Sequence, residues 1–373
     1  MKHNELILVG GALEGLRLPT KDEGKAAGEI FISGGALKMG VGAGQTVVNL
    51  LSNHLFPFAS ITLNNAGATG RYGPTLAQMR TRYEAQAWTQ DDRFLNRIGQ
   101  GIQVFTVPTT GSYTFMVVGG TRGNITSGVG SCSRRRLTVR VTLEKGWKVY
   151  VIVGQAGSRG GTINTRTRAS AGGGGTFVYC PEYSNQPIVV AGGAGGVTND
   201  SGRDDTNVAD LTGQSGRYTN LSGVTTASNL TLGSNASGSR GNGGQVGGGG
   251  GFSGNAVTFK ASGEALLVAG LLGSLSGSGG LGDDTSPIQG GFGGGGGASF
   301  VTDTRYANAG GGGGYTGGNS AVAGYSGGTE AQAFAGHGGN YVNSKAALVS
   351  NITLASTALT HGSCAITLET PQT

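Results

Sequence analysis

The groups able to do acid–base, nucleophilic or metal chemistry are few and scattered along this chain. Its four histidines are His3, His54, His337 and His361, and no His-Glu-x-x-His places two of them on one helical face. His361 and Cys364 stand three apart, but a zinc site needs a second pair of ligands. Cys132, Cys180 and Cys364 are too few and too far apart for a disulfide framework, and no Cys-x-x-Cys occurs. No Ser, His and acid fall into a nucleophile motif. The acidic pairs Asp91-Asp92, Asp204-Asp205 and Asp283-Asp284 suit turns or loop tips better than an acid–base couple. Calcium held by Asp204, Asp205, Asp283 and Asp284 stays open, although EF-hand spacing is missing. Gly-x-Gly-x-x-Gly matches arise by chance in this composition, and a Walker A sequence is absent. The expectation is a protein that is not an enzyme and needs neither cofactor nor metal.

Positive charge is better organised. The chain carries a formal charge of +6, and ten of its Lys and Arg residues lie between Thr121 and Ser170 beside a single acid, Glu144. Arg134, Arg135 and Arg136 are adjacent within that stretch and form a candidate patch for anionic groups. The plainer reading is a solvated face beside a strand. Arg159-Gly160-Gly161 and Arg240-Gly241-Asn242 hint at single-strand nucleic-acid binding, but neither motif repeats, so that reading is the runner-up and nucleic acid is not the expected partner.

The elements that would have to position any site are dominated by glycine. Glycine makes up 77 of 373 residues, while Pro is only 8 and no Gly-X-Y period runs through the chain, which excludes collagen. Charged residues are 12%, about half the usual share, which argues against an ordinary disordered tail. The glycines concentrate in runs: Gly172–Gly175, Gly192–Gly196 broken by Ala194, Gly247–Gly251, Gly293–Gly297 and Gly310–Gly314. Each borders apolar residues such as Phe177, Val190, Phe252, Phe292, Phe300 or Tyr315, unlike Gly/Ser linkers. A glycine run can adopt the polyproline II conformation, whose unpaired amides and carbonyls point sideways. Several such runs satisfy one another only where no side chain keeps them apart. Gly247, Gly249, Gly293, Gly295, Gly297, Gly310, Gly312 and Gly314 are therefore expected inside such a lattice.

Around these runs the chain reads as mainly β. Residues 1–72 hold short strand-like segments (ELILV, EIFIS, ALKMGV, QTVVNLL and ASITL) and form an expected N-terminal module. Residues 73–100 form a connector, with a helix predicted over Leu76–Trp88 and a short turn in DDRFLNRI. From residue 101 to 373 three hairpins are predicted. The first is GIQVFTVPTTGSYTFMVVGG, turning at Pro108–Gly111, and the second is RRRLTVRVTLEKGWKVYVIVGQAG, turning at Glu144–Gly146. The third sets Thr176–Tyr179 against Ile188–Val190, and Ser363–Glu369 adds a last alternating strand. No stretch approaches 18 apolar residues, so no membrane span is expected. MKHNELILVGGALEG lacks a long enough apolar run for a signal peptide, and synthesis in a cytoplasm is expected.

Taken in order, GIQVFTVPTTGSYTFMVVGG, GGGGTFVYCPEYSNQPIVVAGGAGG, GGFGGGGGASF and AGGGGGYTGGNS resemble the extracellular glycine-rich region of anaplastic lymphoma kinase-type receptors, over about residues 101 to 369. The resemblance implies an antiparallel β-sandwich of tumour-necrosis-factor-like, jelly-roll type joined to a bundle of polyglycine II helices. Glycine-rich blocks similar to these also occur in tail-fibre tip adhesins of T-even-like phages, where loops between the helices touch the host receptor. The receptor family's signal peptide, membrane span and kinase domain are not legible here. GEIFISGGALKMGVGAGQTVVNLL in turn resembles short modules at the attachment ends of phage fibres. The phage relatives share architecture with this chain rather than alignable sequence, so no receptor residue carries over from them.

These readings combine into an expectation: a bacteriophage tail-fibre or virion-surface adhesin, made in the host cytoplasm. Residues 1–72 would bind another virion protein, and the distal loops would bind a host glycan or a membrane-protein loop. A lattice that excludes side chains leaves recognition to its inserts, Val197–Arg240, Ser253–Gln289, Thr302–Asn308 and Asn340–Thr360. Asp204, Asp205, Arg217, Tyr218, Arg305, Tyr306 and Tyr341 are the candidate contacts. The alternative is a purely structural virion component.

Overall fold

Along Cys132–Leu143 the side chains alternate: Leu137, Val139, Val141 and Leu143 are buried, while Arg140 and Thr142 face solvent. That period of two marks a sheet with one wet face. The computed structural model describes residues 30–33, 36–39, 48–49, 54–99, 101–123, 131–160, 169–198, 247–252, 277–281, 288–300, 306–326, 329–330 and 333–369. Among them the fold is mainly β, with one α-helix. The chain divides into two units, Met1–Leu55 and Phe56–Thr373.

In the first unit Ile30–Ser33, Ala36–Met39 and Val48–Asn49 form a three-stranded antiparallel sheet. These are three of the expected segments; ELILV lies outside the described residues. ASITL does not belong with them. Its strand, Ser60–Leu63, pairs with Ser363–Leu368 near the other end of the sequence, so the larger unit begins well before residue 72. Ile61 and Leu63 explain this placement, since both are buried in the large unit's core.

Two antiparallel sheets organise that unit. The outer sheet has five strands, in the order Ala347–Ser356, Cys132–Leu143, Gly111–Val118, Ser363–Leu368 and Ser60–Leu63. The inner sheet has six, in the order Tyr341–Val342, Val189–Ala191, Thr176–Tyr179, Lys148–Ile152, Ile102–Thr106 and Leu95–Ile98. Tyr113, Phe115, Val117, Leu137, Val139 and Ile366 of the outer sheet share one core with Phe105, Val149, Val151, Val178 and Val189 of the inner sheet. Each such side chain contributes about 1.5–3 kcal/mol by leaving water. The inner sheet is buried on its other face too. Ile102, Ile152, Phe177 and Val190 pack there against Phe252 and Phe292, which border glycine runs.

Two of the three predicted hairpins are corners instead. Ile102–Thr106 and Gly111–Val118 lie in different sheets, as do Cys132–Leu143 and Lys148–Ile152. The corners hold each other, because Val107 N donates to Trp147 O and Gly146 N donates to Val107 O, both at 2.9 Å. The Tyr113 hydroxyl, buried, also donates to Thr109 O at 2.7 Å and pins the first corner. The third hairpin forms as expected, with Phe177 opposite Val190.

The helix is shorter than its periodicity predicts, Leu76–Arg82. Thr75 and Gln78 form a reciprocal capping box at its start. It stops because Tyr83 turns into the core, where its hydroxyl accepts from Asn64 N at 2.9 Å and lies 3.0 Å from Gln103 Oε1. A 3₁₀ turn, Ala87–Gln90, follows. Trp88 there stacks on Phe56 at 4.5 Å. RFLNRI, expected as a turn, supplies the edge strand Leu95–Ile98, since buried Leu95 sits in the core and Ile98 packs on the opposite face.

Candidate functional site

The glycine runs are ordered, buried and hydrogen-bonded to one another. Six consecutive amides from Gly310 to Tyr315 donate, in turn, to the carbonyls of Ser170, Gly247, Gly336, Gly173, Gly250 and Gly339. The same three neighbouring segments recur in the same order, advanced by three residues: 170 and 173, 247 and 250, 336 and 339. Other runs bond in the antiparallel sense. Gly172 and Gly175 donate to Gly296 and Gly293, and Gly193 and Gly196 donate to Gly313 and Gly310. Buried backbone groups are thereby paired without any β-ladder.

Only glycine fits this packing. A Cβ on Gly249 would lie 1.9 Å from Gly312 O, one on Gly310 2.0 Å from Gly296 O, and one on Gly312 2.2 Å from Gly193 O. On Gly314 it would meet Gly339 N at 2.6 Å, and on Gly295 it would meet Gly172 O at 2.4 Å. Every one of these obstacles is backbone, which cannot swing aside. Gly247 and Gly297 are buried partners in the same network, joined by an amide–carbonyl contact of 3.4 Å. One expectation is corrected here. Gly293 and Gly294 have positive φ, 100° and 80°, and lie in a turn, so the run Gly293–Gly297 is not polyproline II throughout. The turn lets both amides donate to Gly277 O, at 2.7 and 3.0 Å.

Aromatic side chains gather beside these runs. Tyr315 stacks on Tyr341 with ring centroids 4.1 Å apart, and Phe252 lies nearly parallel to Tyr315 at 6.2 Å. Tyr179 packs edge-on to Phe252 at 5.5 Å, and Tyr150 follows at 6.3 Å. Phe252 and Tyr179 are buried, while Tyr150, Tyr315 and Tyr341 are half-buried and keep an edge at the surface. The Tyr315 hydroxyl donates to Gln186 Oε1 at 2.8 Å. Burial raises the pKa of Tyr150, Tyr179 and Tyr341, so these hydroxyls stay protonated and act as neutral hydrogen-bonding groups. Among the five, sequence reasoning singled out only Tyr341 as a contact. The signal for Phe252 and Tyr315 was their position directly after a glycine run; Tyr150 and Tyr179 carry no signal beyond strand alternation.

Of the other predicted contacts, Asp204, Asp205, Arg217, Tyr218 and Arg305 lie outside the described residues, as do Asp283 and Asp284. Tyr306 begins the strand Tyr306–Ala309, which pairs with Ala321–Ser326. The insert Asn340–Thr360 is not a free loop. Asn340 is buried with its Oδ1 accepting from Gly192 N at 2.9 Å, Asn343 donates to Pro187 O at 3.0 Å, and Ala347–Ser356 is a ten-residue edge strand. Val197–Thr198, at the head of another insert, is buried and paired with Ala333–Phe334.

The three adjacent arginines differ in burial and in their partners. Arg134 is buried, with Nη1 donating to Gly119 O at 2.7 Å, and desolvation lowers its pKa. Arg135 donates to Thr353 Oγ1 at 3.0 Å across the sheet, and Arg136 is half-buried opposite Ile352. Strand alternation sets Arg135 on the opposite face from Arg134 and Arg136, and burial then separates Arg134 from Arg136. His361 is tied down too, its Nδ1 accepting from Ala156 N at 3.2 Å. Among the described residues no group of three or more His, Cys, Asp or Glu is placed to hold a metal, and no helix is long and apolar enough to cross a membrane. In comparisons with known proteins, the chain matches no family model and no curated sequence.

Proposed function

We propose that the glycine-rich segments form a bundle of polyglycine II helices packed on a tumour-necrosis-factor-like β-sandwich, and that this body is the scaffold of a phage tail-fibre or virion-surface adhesin. The observation carrying this reading is the three-residue period of hydrogen bonds along Gly310–Tyr315. Polyglycine II has three residues per turn, so successive amides address three neighbours and then return to the first. A body built this way leaves little room for side chains where its runs touch, and recognition falls to the segments between its helices. Such a rigid base carrying variable polar segments suits reversible, wet contact with a host glycan or an outer-membrane protein loop. Tyr341, braced by Tyr315, is the contact candidate on the described surface, with Asp204, Asp205, Arg217, Tyr218, Arg305 and Tyr306 on the inserts. The N-terminal unit would join the adhesin to another virion protein. Burial of Arg134 takes away much of the support for nucleic acid as the partner.

The test replaces residues 199–240 with a short Gly-Ser link, keeping buried Val197 and Thr198 in place. Host adsorption should be lost while the melting temperature stays nearly unchanged. If adsorption survives removal of every insert, the chain is a structural virion component instead.

A further inference from the structure

A groove of about 550 Å³ opens between the turn Asn64–Gly67 and the helix Leu76–Arg82. It is lined by Asn64, Asn65, Gln78, Thr81 and Arg82, with Ala66, Gly67 and Ala77 as small residues between them. No acid lines it. The groove is open to solvent rather than enclosed.

The hydrogen-bonding capacity left over in this groove is specific. Gln78 commits its Oε1 to the Thr75 amide at 2.8 Å, which leaves its Nε2 hydrogens unpartnered. Asn64 commits its Oδ1 to Ala66 N at 2.8 Å and keeps its Nδ2 hydrogens. Asn65 is the reverse, donating Nδ2 to Ala68 O and keeping Oδ1 as an acceptor. Thr81 has a spare hydroxyl and Arg82 a spare guanidinium. The groove thus offers one cation, two amide donors, one hydroxyl and one acceptor. A phosphate dianion would want more positive charge, and a neutral sugar would leave the guanidinium unused. A carboxylate on a ring of hydroxyls would use all of it.

The groove wall is also held in advance. Ala66 has a φ of 46°, a left-handed conformation that costs an alanine about 1–2 kcal/mol. The turn keeps it because a buried network grips Asn64 from behind: Gln103 Nε2 donates to Asn64 O at 2.7 Å, and Asn64 N donates to the Tyr83 hydroxyl at 2.9 Å. Burial pushes the Tyr83 pKa up to about 12, so this network does not ionise near neutral pH. Supporting groups that lock the residues in front of them are the mark of a preorganised site.

We propose that this groove binds an acidic monosaccharide unit, with the sugar carboxylate on Arg82 and ring hydroxyls on Asn64, Asn65 and Gln78. The assignment goes beyond the adhesin reading and does not depend on it. Isothermal titration of the full chain with glucuronate, glucose and inorganic phosphate tests it. Glucuronate should saturate a single site and bind at least about tenfold tighter than either other probe, a ratio that one charge-assisted hydrogen-bond pair can supply. Arg82→Gln, at an exposed position, should abolish that preference, and Ala77→Trp should block binding of glucuronate altogether. Arg80→Gln, outside the groove, should leave binding unchanged. Three results would each overturn the proposal: no saturable glucuronate binding, phosphate binding as tight as glucuronate, or a preference that persists in both groove variants.

Discussion

The amide of Gly313 donates to the carbonyl of Gly173 across 2.9 Å, although 140 positions separate them in sequence. No side chain of either residue intervenes. Both positions need glycine, because a Cβ on Gly313 would lie 2.0 Å from Gly293 O and one on Gly173 would lie 2.4 Å from Gly120 O.

Adding one Cβ should therefore part the backbones rather than displace a neighbour. In Gly295→Val the new atom begins 2.4 Å from Gly172 O and 2.7 Å from Gly291 N. Urea unfolding should record a loss of more than about 4 kcal/mol, or no folded protein at all. Gly146→Ala is the control. Gly146 has a φ of 90° but nothing within 4 Å of its would-be Cβ, so the loss should stay near the 1–2 kcal/mol of left-handed strain. Equal losses in the two variants would contradict the packing described.

The stability of the fold should fall on mild acidification, partly through His361. Burial lowers its pKa below the ordinary 6.5, and its Nδ1 already accepts a backbone hydrogen. Below pH 6.5 the unfolded chain takes up a proton that the folded chain resists. The contribution is complete above that pH and is lost as the pH falls toward the lowered folded value. Urea midpoints compared on either side of 6.5 should show a drop that His361→Gln reduces.

All three thiols should be inert in the native protein. Cys132, Cys180 and Cys364 are buried, and desolvation pushes the Cys180 pKa up to about 12 and that of Cys364 up as well. Thiolate is the reactive form. A colorimetric thiol reagent should titrate no sulfur before denaturation and three after it.

Tyr341→Ala should remove the outer layer of the aromatic row and cost about 1–3 kcal/mol, less than a fully buried ring. Tyr341→Phe keeps the stack on Tyr315 and should melt like the wild type. A phenylalanine variant that melts normally but adsorbs poorly would locate a receptor contact at the hydroxyl.

Much of the scaffold was legible because its physics is local. Glycine runs bordered by Phe252, Phe292 and Tyr315 announce packing, and alternation along Leu137–Leu143 announces a half-wet strand. What was not legible depends on distant partners. Nothing near Ser60–Leu63 reveals that it pairs with Ser363–Leu368. Nothing near Val107 reveals that its strand pair turns a corner, because a corner and a hairpin use the same turn residues. Arg134 looks like its neighbours until the sheet buries it. The groove beside Arg82 gave no sequence signal at all, being assembled from a turn and a helix that each look ordinary.

The three-residue repeat of partners along Gly310–Tyr315 also bears on how such a chain can change length. Deleting one glycine from a run would not shorten a spacer. It would rotate every later amide onto the wrong neighbour, as a one-tooth slip disengages a gear train. Removing three would restore each residue to its original facing. The run Gly310–Gly314 is thus quantised in steps of three, a register set by its three backbone neighbours rather than by any side chain.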